Sequence, residues 1–203
     1  MHRAGAIILL LLICFPVLLA AQEDDDGWDF YDDGFSRGDQ TFIITLGTVF
    51  PTIFRNQGNT IPHKIKPPIG GTGSLAYNYY LTPHFFLGAE ASGMFLPTLA
   101  KNTVFIIPLG IRGGYQFNFR RFEFPINLTF GMVWHRYLNY RYYGIYLKGG
   151  ASAFFRATYS WSFGINSNWY WFPEWTKEDG VRSKPKDVYG NFIDVTLSAR
   201  YHF

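Results

Sequence analysis

Apolar and polar positions alternate with period two along nearly all of the chain from Thr41 onward. Phe42, Ile44 and Leu46 enclose Thr45 and Gly47 on alternate positions, and Leu75, Tyr77 and Tyr79 alternate with Ala76 and Asn78. The same rhythm runs through Leu87–Ala91, Phe105–Phe117, Phe124–Trp134, Ile145–Ala153, Trp161–Trp171 and Ile193–Phe203. Successive side chains of a strand point to opposite faces, so each run predicts one apolar and one polar face. Eight such runs emerge, each of roughly ten residues, the length a tilted membrane-spanning strand needs.

The expected connections are 51–70, 81–84, 96–103, 118–123, 137–144, 156–160 and 173–188. Longer ones alternate with shorter ones, as in outer-membrane barrels with long loops at one end and tight turns at the other. The fold class expected is all-β: an eight-stranded antiparallel up-and-down transmembrane β-barrel over 41–203. An even strand count puts both ends of the body on the short-turn side. The bulky, ring-rich face is expected to meet lipid. The face carrying Gly47, Ser74, Gly88, Gly110, Gly131, Gly150, Ser162, Gly164 and Ser198 suits a narrow lumen filled by side chains.

Composition adds to this picture. Charged residues are only 16% and aromatic residues 20%, which excludes disorder and coiled coil. Met1-His2-Arg3 followed by an apolar stretch ending in Leu19-Ala20-Ala21 predicts a cleaved signal peptide over 1–21. The alternatives are an uncleaved anchor or acylation at Cys14, the sole cysteine, although Ile13 before it is too bulky for a lipoprotein site. Residues 22–40 form an acidic tail with eight acids and one base, Arg37, interleaved with Trp28, Phe30, Tyr31 and Phe35. That tail reads as a solvated, self-repelling segment, or as a short plug anchored by its rings. The body over 41–203 has the opposite sign, with 16 bases and 7 acids.

With a leader, eight alternating runs and the last strand Val195-Thr196-Leu197-Ser198-Ala199-Arg200-Tyr201-His202-Phe203, the sequence resembles the small eight-stranded outer-membrane barrels of diderm bacteria, of OmpX and OmpW type. The resemblance implies a bacterial outer-membrane location, outer-membrane lipid as surroundings, and recognition by the barrel-assembly machinery through the terminal strand ending in Phe203, an exposed edge that strand addition can read. It also implies one of two roles: a structural or surface-interaction barrel, or a narrow channel for small, often apolar, molecules. A soluble exported barrel of lipocalin type is the alternative fold.

The inward face supplies the candidate chemistry. Glu90, Arg112, Lys148, Arg156, Asp194 and Arg200 are expected to form a lumenal polar network, with Glu90 and Arg112 paired across neighbouring strands, since buried charges need partners. A basic lumen of this kind, if open, favours anions. The longest basic loop carries Arg55, His63, Lys64 and Lys66 and no acid. These are loop candidates for a host or surface ligand, because binding usually sits on loops over a rigid scaffold. No metal-ligand spacing or nucleophile elbow occurs, so no cofactor and no catalysis are expected. The bases are spread around the barrel rather than gathered in one stripe, which argues against nucleic acid.

Overall fold

In the computed structural model, eight long antiparallel strands follow one another and close on themselves. The model describes residues 34–56, 59–60, 69–97, 103–137, 140–174, 177–178, 181–182 and 188–203. The strands are β1 (Gln40–Asn56), β2 (Gly70–Tyr80), β3 (Phe85–Pro97), β4 (Thr103–Phe119), β5 (Phe122–Tyr137), β6 (Tyr140–Arg156), β7 (Trp161–Glu174) and β8 (Val188–His202). Each pairs with its sequence neighbour, and β1 pairs with β8 from Thr41↔His202 to Asn56↔Val188. Closure leaves no edge among the barrel strands, the only way for strands to satisfy their backbone groups in hydrocarbon. Two-residue pieces extend two connections: Asn59–Thr60 pairs back on β1, and Lys177–Glu178 pairs with Val181–Arg182.

The strands run further than the alternating cores suggest. β1 continues through a register shift between Pro51 and Phe54. The expected 118–123 turn shrinks to Arg120-Arg121, where Arg120 adopts φ 55°. β5 and β6 pair out to Tyr137↔Tyr140, so the expected long loop 137–144 is a two-residue connection. Tyr137 and residues 140–144, four of the six being tyrosines, extend the ladder instead of looping. The alternation of long and short connections therefore survives at 57–69 and 175–187, narrows to five residues at 98–102, and fails at 138–139.

The outward parity is as expected. Leu46, Leu75, Leu87, Leu109, Ile111, Ile126, Leu128, Met132, Ile165 and Leu197 are all exposed. Toward the end that bears the three tight turns, the exposed residues become aromatic: Phe85, Phe117, Phe119, Phe122, Phe124, Trp161 and Phe203. Several of these touch, as in Tyr115–Phe117 at 4.6 Å, Phe85–Tyr115 at 4.9 Å and Tyr201–Phe203 at 4.9 Å. An apolar band bordered by rings is the surface a lipid bilayer selects.

The inward face differs from the expected glycine-and-charge lining. It also carries rings: Tyr80, Phe86, Tyr146, Phe154, Tyr170, Phe172 and Phe192 are buried. Tyr80 points inward while the adjacent Tyr79 is exposed, because neighbours on a strand must take opposite faces. These rings fit because glycines stand opposite or beside them. A Cβ on Gly110 would lie 2.6 Å from the Tyr146 hydroxyl, and one on Gly114 would overlap the Phe86 ring.

Candidate functional site

The lumen is built in layers. Nearest the loop end, Val49, Met94, Leu96, Ile106, Val133, Tyr146, Tyr170, Phe172 and Phe192 form one continuous apolar cluster. Tyr170 and Phe172 stack at 5.8 Å, and Phe172 meets Phe192 edge-on at 5.3 Å. They come from the inward parity of seven of the eight strands, β3 and β7 giving two each, so the cluster crosses the bore from wall to wall.

Below it lies a first charged group around Glu90 of β3. Its carboxylate faces Lys148 Nζ of β6 in a direct ion pair, and Arg112 Nη1 of β4 at 3.5 Å. The Ser92 hydroxyl donates to the same carboxylate at 2.9 Å. The register explains the room for these long chains: Arg112 stands opposite Gly88, and Glu90 opposite Gly110. Lys148 also lies 5.2 Å from the centre of the Tyr170 ring. Asp194 adjoins this group through Tyr170 and the charge of Lys148, accepting from Asn168 N at 3.0 Å, Asn168 Nδ2 at 2.7 Å and Tyr170 OH at 2.9 Å.

A second charged group fills the turn end, centred on Glu123 of β5. Arg200 Nη1 donates to Glu123 Oε2 at 2.8 Å, and Arg156 Nε lies 2.9 Å from Glu123 Oε1. Arg200 also donates to Gln116 Oε1, which accepts from Tyr80 OH as well. The six expected network residues thus divide between two groups, with Asp194 adjoining the first. Glu123 escaped the sequence reading because the assumed turn 118–123 covered it. The alternation Phe122-Glu123-Phe124 is the signal that places it inward. With it, the described lumenal charges become three acids and four bases, a smaller basic excess than the sequence suggests.

A serine–histidine contact lies in this second group, with Ser162 Oγ 2.8 Å from His202 Nε2. Its direction is fixed by the neighbours. Arg156 Nη2 can only donate, so His202 Nδ1 at 3.1 Å accepts and the ring proton sits on Nε2. Nε2 then donates to Ser162 Oγ, which donates to Glu123 Oε1 at 3.4 Å. A general base for serine would need the opposite polarity, with Nε2 bare and an acid on Nδ1.

The turn-end mouth is covered by residues 34–39. Phe35 is 4% exposed and stacks on Tyr80 with centroids 3.9 Å apart and planes 8° from parallel. A cavity of about 170 Å³ remains beside it, lined by Ser36, Asp39, Arg156, Tyr159, His202 and Phe203 among others. Of the loop candidates, Arg55 lies on the β1 extension opposite Tyr189 and Thr60; His63, Lys64 and Lys66 lie outside the described residues.

A closed eight-stranded barrel with a lipid-facing belt and a packed lumen defines a small transmembrane β-barrel of the outer-membrane kind. One protein-family model matches residues 22–201, and the chain belongs to the family which that model defines. Among curated proteins, two uncharacterised proteins of Treponema pallidum (strain Nichols) are similar. One is 24% identical over 141 residues, covering 64% of this chain and 48% of the relative; the other is 26% identical over 135 residues, covering 66% and 59%. The chain spans about half the length of these relatives. Among solved structures, Neisserial surface protein A superposes with TM-score 0.57 at 6% identity over 82% of this chain and 97% of that one. The outer membrane protein OprG from Pseudomonas aeruginosa gives TM-score 0.50 at 11% identity over 84% and 98%. The fold is therefore that of small outer-membrane β-barrels.

Proposed function

We propose that this outer-membrane barrel is a sealed, non-catalytic scaffold that acts through its surface loops. The observation that carries the reading is the layered filling of the bore. An apolar cluster spans the loop half, and two buried, ion-paired charge groups occupy the rest. Buried, paired charges hold a lumen shut rather than pass ions through it. The polarity of the Arg156–His202–Ser162 chain supports the absence of an activated nucleophile. The turn end, with both described termini, faces the periplasm on this reading, and 57–69 and 175–187 face outward.

Two measurements test it. Protein reconstituted in planar bilayers is expected to give no resolved conductance steps at any salt concentration. Stable unitary steps would instead establish the narrow-channel alternative. Replacing 57–69 or 175–187 with a two-residue Asn-Gly turn is expected to preserve heat-modifiable gel migration while removing adhesion of expressing cells to anionic glycan surfaces. The basic residues of 57–69 make that loop the stronger determinant. Adhesion unchanged in both replacements overturns the loop assignment without touching the sealed lumen.

A further inference from the structure

We propose that residues 34–39 are a built-in strap whose Phe35 ring stoppers the turn-end mouth of the barrel and completes the burial of Arg200. The local sequence explains how the strap turns. Ser36-Arg37-Gly38-Asp39 makes a tight turn in which Asp39 N donates to Ser36 O at 3.3 Å and Ser36 N donates to Asp39 Oδ2 at 2.8 Å. Gly38 has φ +101°, a backbone conformation that side chains resist, so glycine is required there. Gly38 N donates to Tyr80 O and Tyr80 N donates to Asp39 O, both at 2.9 Å, which ties the turn to the end of β2. The chain preceding the turn is thereby folded back over the mouth, and Phe35 drops in.

The socket that receives the ring comes from three strands that are not neighbours. Tyr80 of β2 stacks on one face, and His202 of β8 lies 5.5 Å from the ring. The guanidiniums of Arg156 (β6) and Arg200 (β8) lie 5.4 and 6.0 Å from its centroid. Arg200 is fully buried, and its Nε and Nη2 have no hydrogen-bond acceptor among the described residues. Its guanidinium instead lies 3.9 Å over the Phe154 ring, with Phe35 on the approach from the mouth. Aromatic faces attract a desolvated cation. Without Phe35, water would reach a charge whose remaining donors are unmet, and the chamber holding Glu123, Ser162 and His202 would open. The apolar cluster of the loop half would still bar passage, so this strap is independent of whether the bore conducts.

Thiol accessibility tests it in the full chain. Cys14→Ser leaves no native thiol, and Ser162→Cys then puts one just inside the stopper. With Phe35 present, labelling of the purified, heat-modifiable barrel by an anionic methanethiosulfonate is expected to be slow. Phe35→Ala is expected to raise the rate roughly tenfold or more, as local opening becomes easier. A second reporter, Ser92→Cys, lies deeper beside Glu90 and is expected to stay slow in both backgrounds. Equal Ser162→Cys rates with and without Phe35 overturn the proposal. So does an equal acceleration at Ser92→Cys, which would mean general loosening. If Phe35→Ala yields no folded barrel, Gly38→Val keeps the ring and strains only the turn. Accelerated labelling in that background supports the strap, and an unchanged rate overturns it.

Discussion

Replacing Glu90 with Ala is expected to destabilise the folded barrel by about 3–5 kcal/mol, the usual consequence of stripping one partner from a buried ion pair. Two cations depend on this carboxylate: Lys148 in direct contact and Arg112 at 3.5 Å, all three nearly or fully inaccessible to solvent. Removing it leaves both charges inside a bore too tightly filled to hydrate them cheaply. Lys148→Met in the same chain removes one of the stranded charges, and its flexible apolar chain fits beside the Tyr170 ring. The double variant is expected to recover part of the loss. Urea unfolding in detergent micelles, followed by tryptophan fluorescence, gives the comparison. A single variant within about 1 kcal/mol of the parent would mean that the pair behaves as an exposed one does.

Ile111→Arg is expected to weaken the membrane-embedded barrel by about 2–4 kcal/mol, the range for a cation placed on the lipid face near the bilayer midplane. Ile111 is 66% exposed and stands midway along β4, opposite Phe130 of β5. Leu81, exposed at the β2–β3 turn, provides the contrast. Leu81→Arg is expected to change stability by no more than about 1 kcal/mol, because the penalty fades toward the interface. Refolding into phospholipid vesicles under urea titration separates the two sites. A barrel that tolerates both substitutions equally has no hydrocarbon around it, and the soluble lipocalin-type alternative would then stand.

Parity was the most legible feature of the sequence, and the reason is geometric. A strand offers only two directions for a side chain, so one apolar run such as Phe124–Trp134 orients every residue in it. Partnership across the bore was not legible. Glu90 and Arg112 sit on neighbouring strands, where register can be guessed from a hairpin; Glu90 and Lys148 meet across the lumen from β3 to β6, and no local pattern encodes that distance. The inward rings are hard to read because adjacent aromatic residues, as in Tyr79-Tyr80, blur the alternation, although one must face in and the other out. Glu123 was lost the same way, hidden in a turn drawn too long. The sequence offers Phe35 as one of the rings of a short plug, but its socket consists of Tyr80, Arg156, Arg200 and His202, which only closure brings together.

The pairing of Thr41 with His202 joins the two ends of the described sheet. Until that last ladder zips, the nascent polypeptide presents two bare margins, each able to capture another chain. Such distant pairing slows maturation, since loop entropy must be overcome before the contacts repay it.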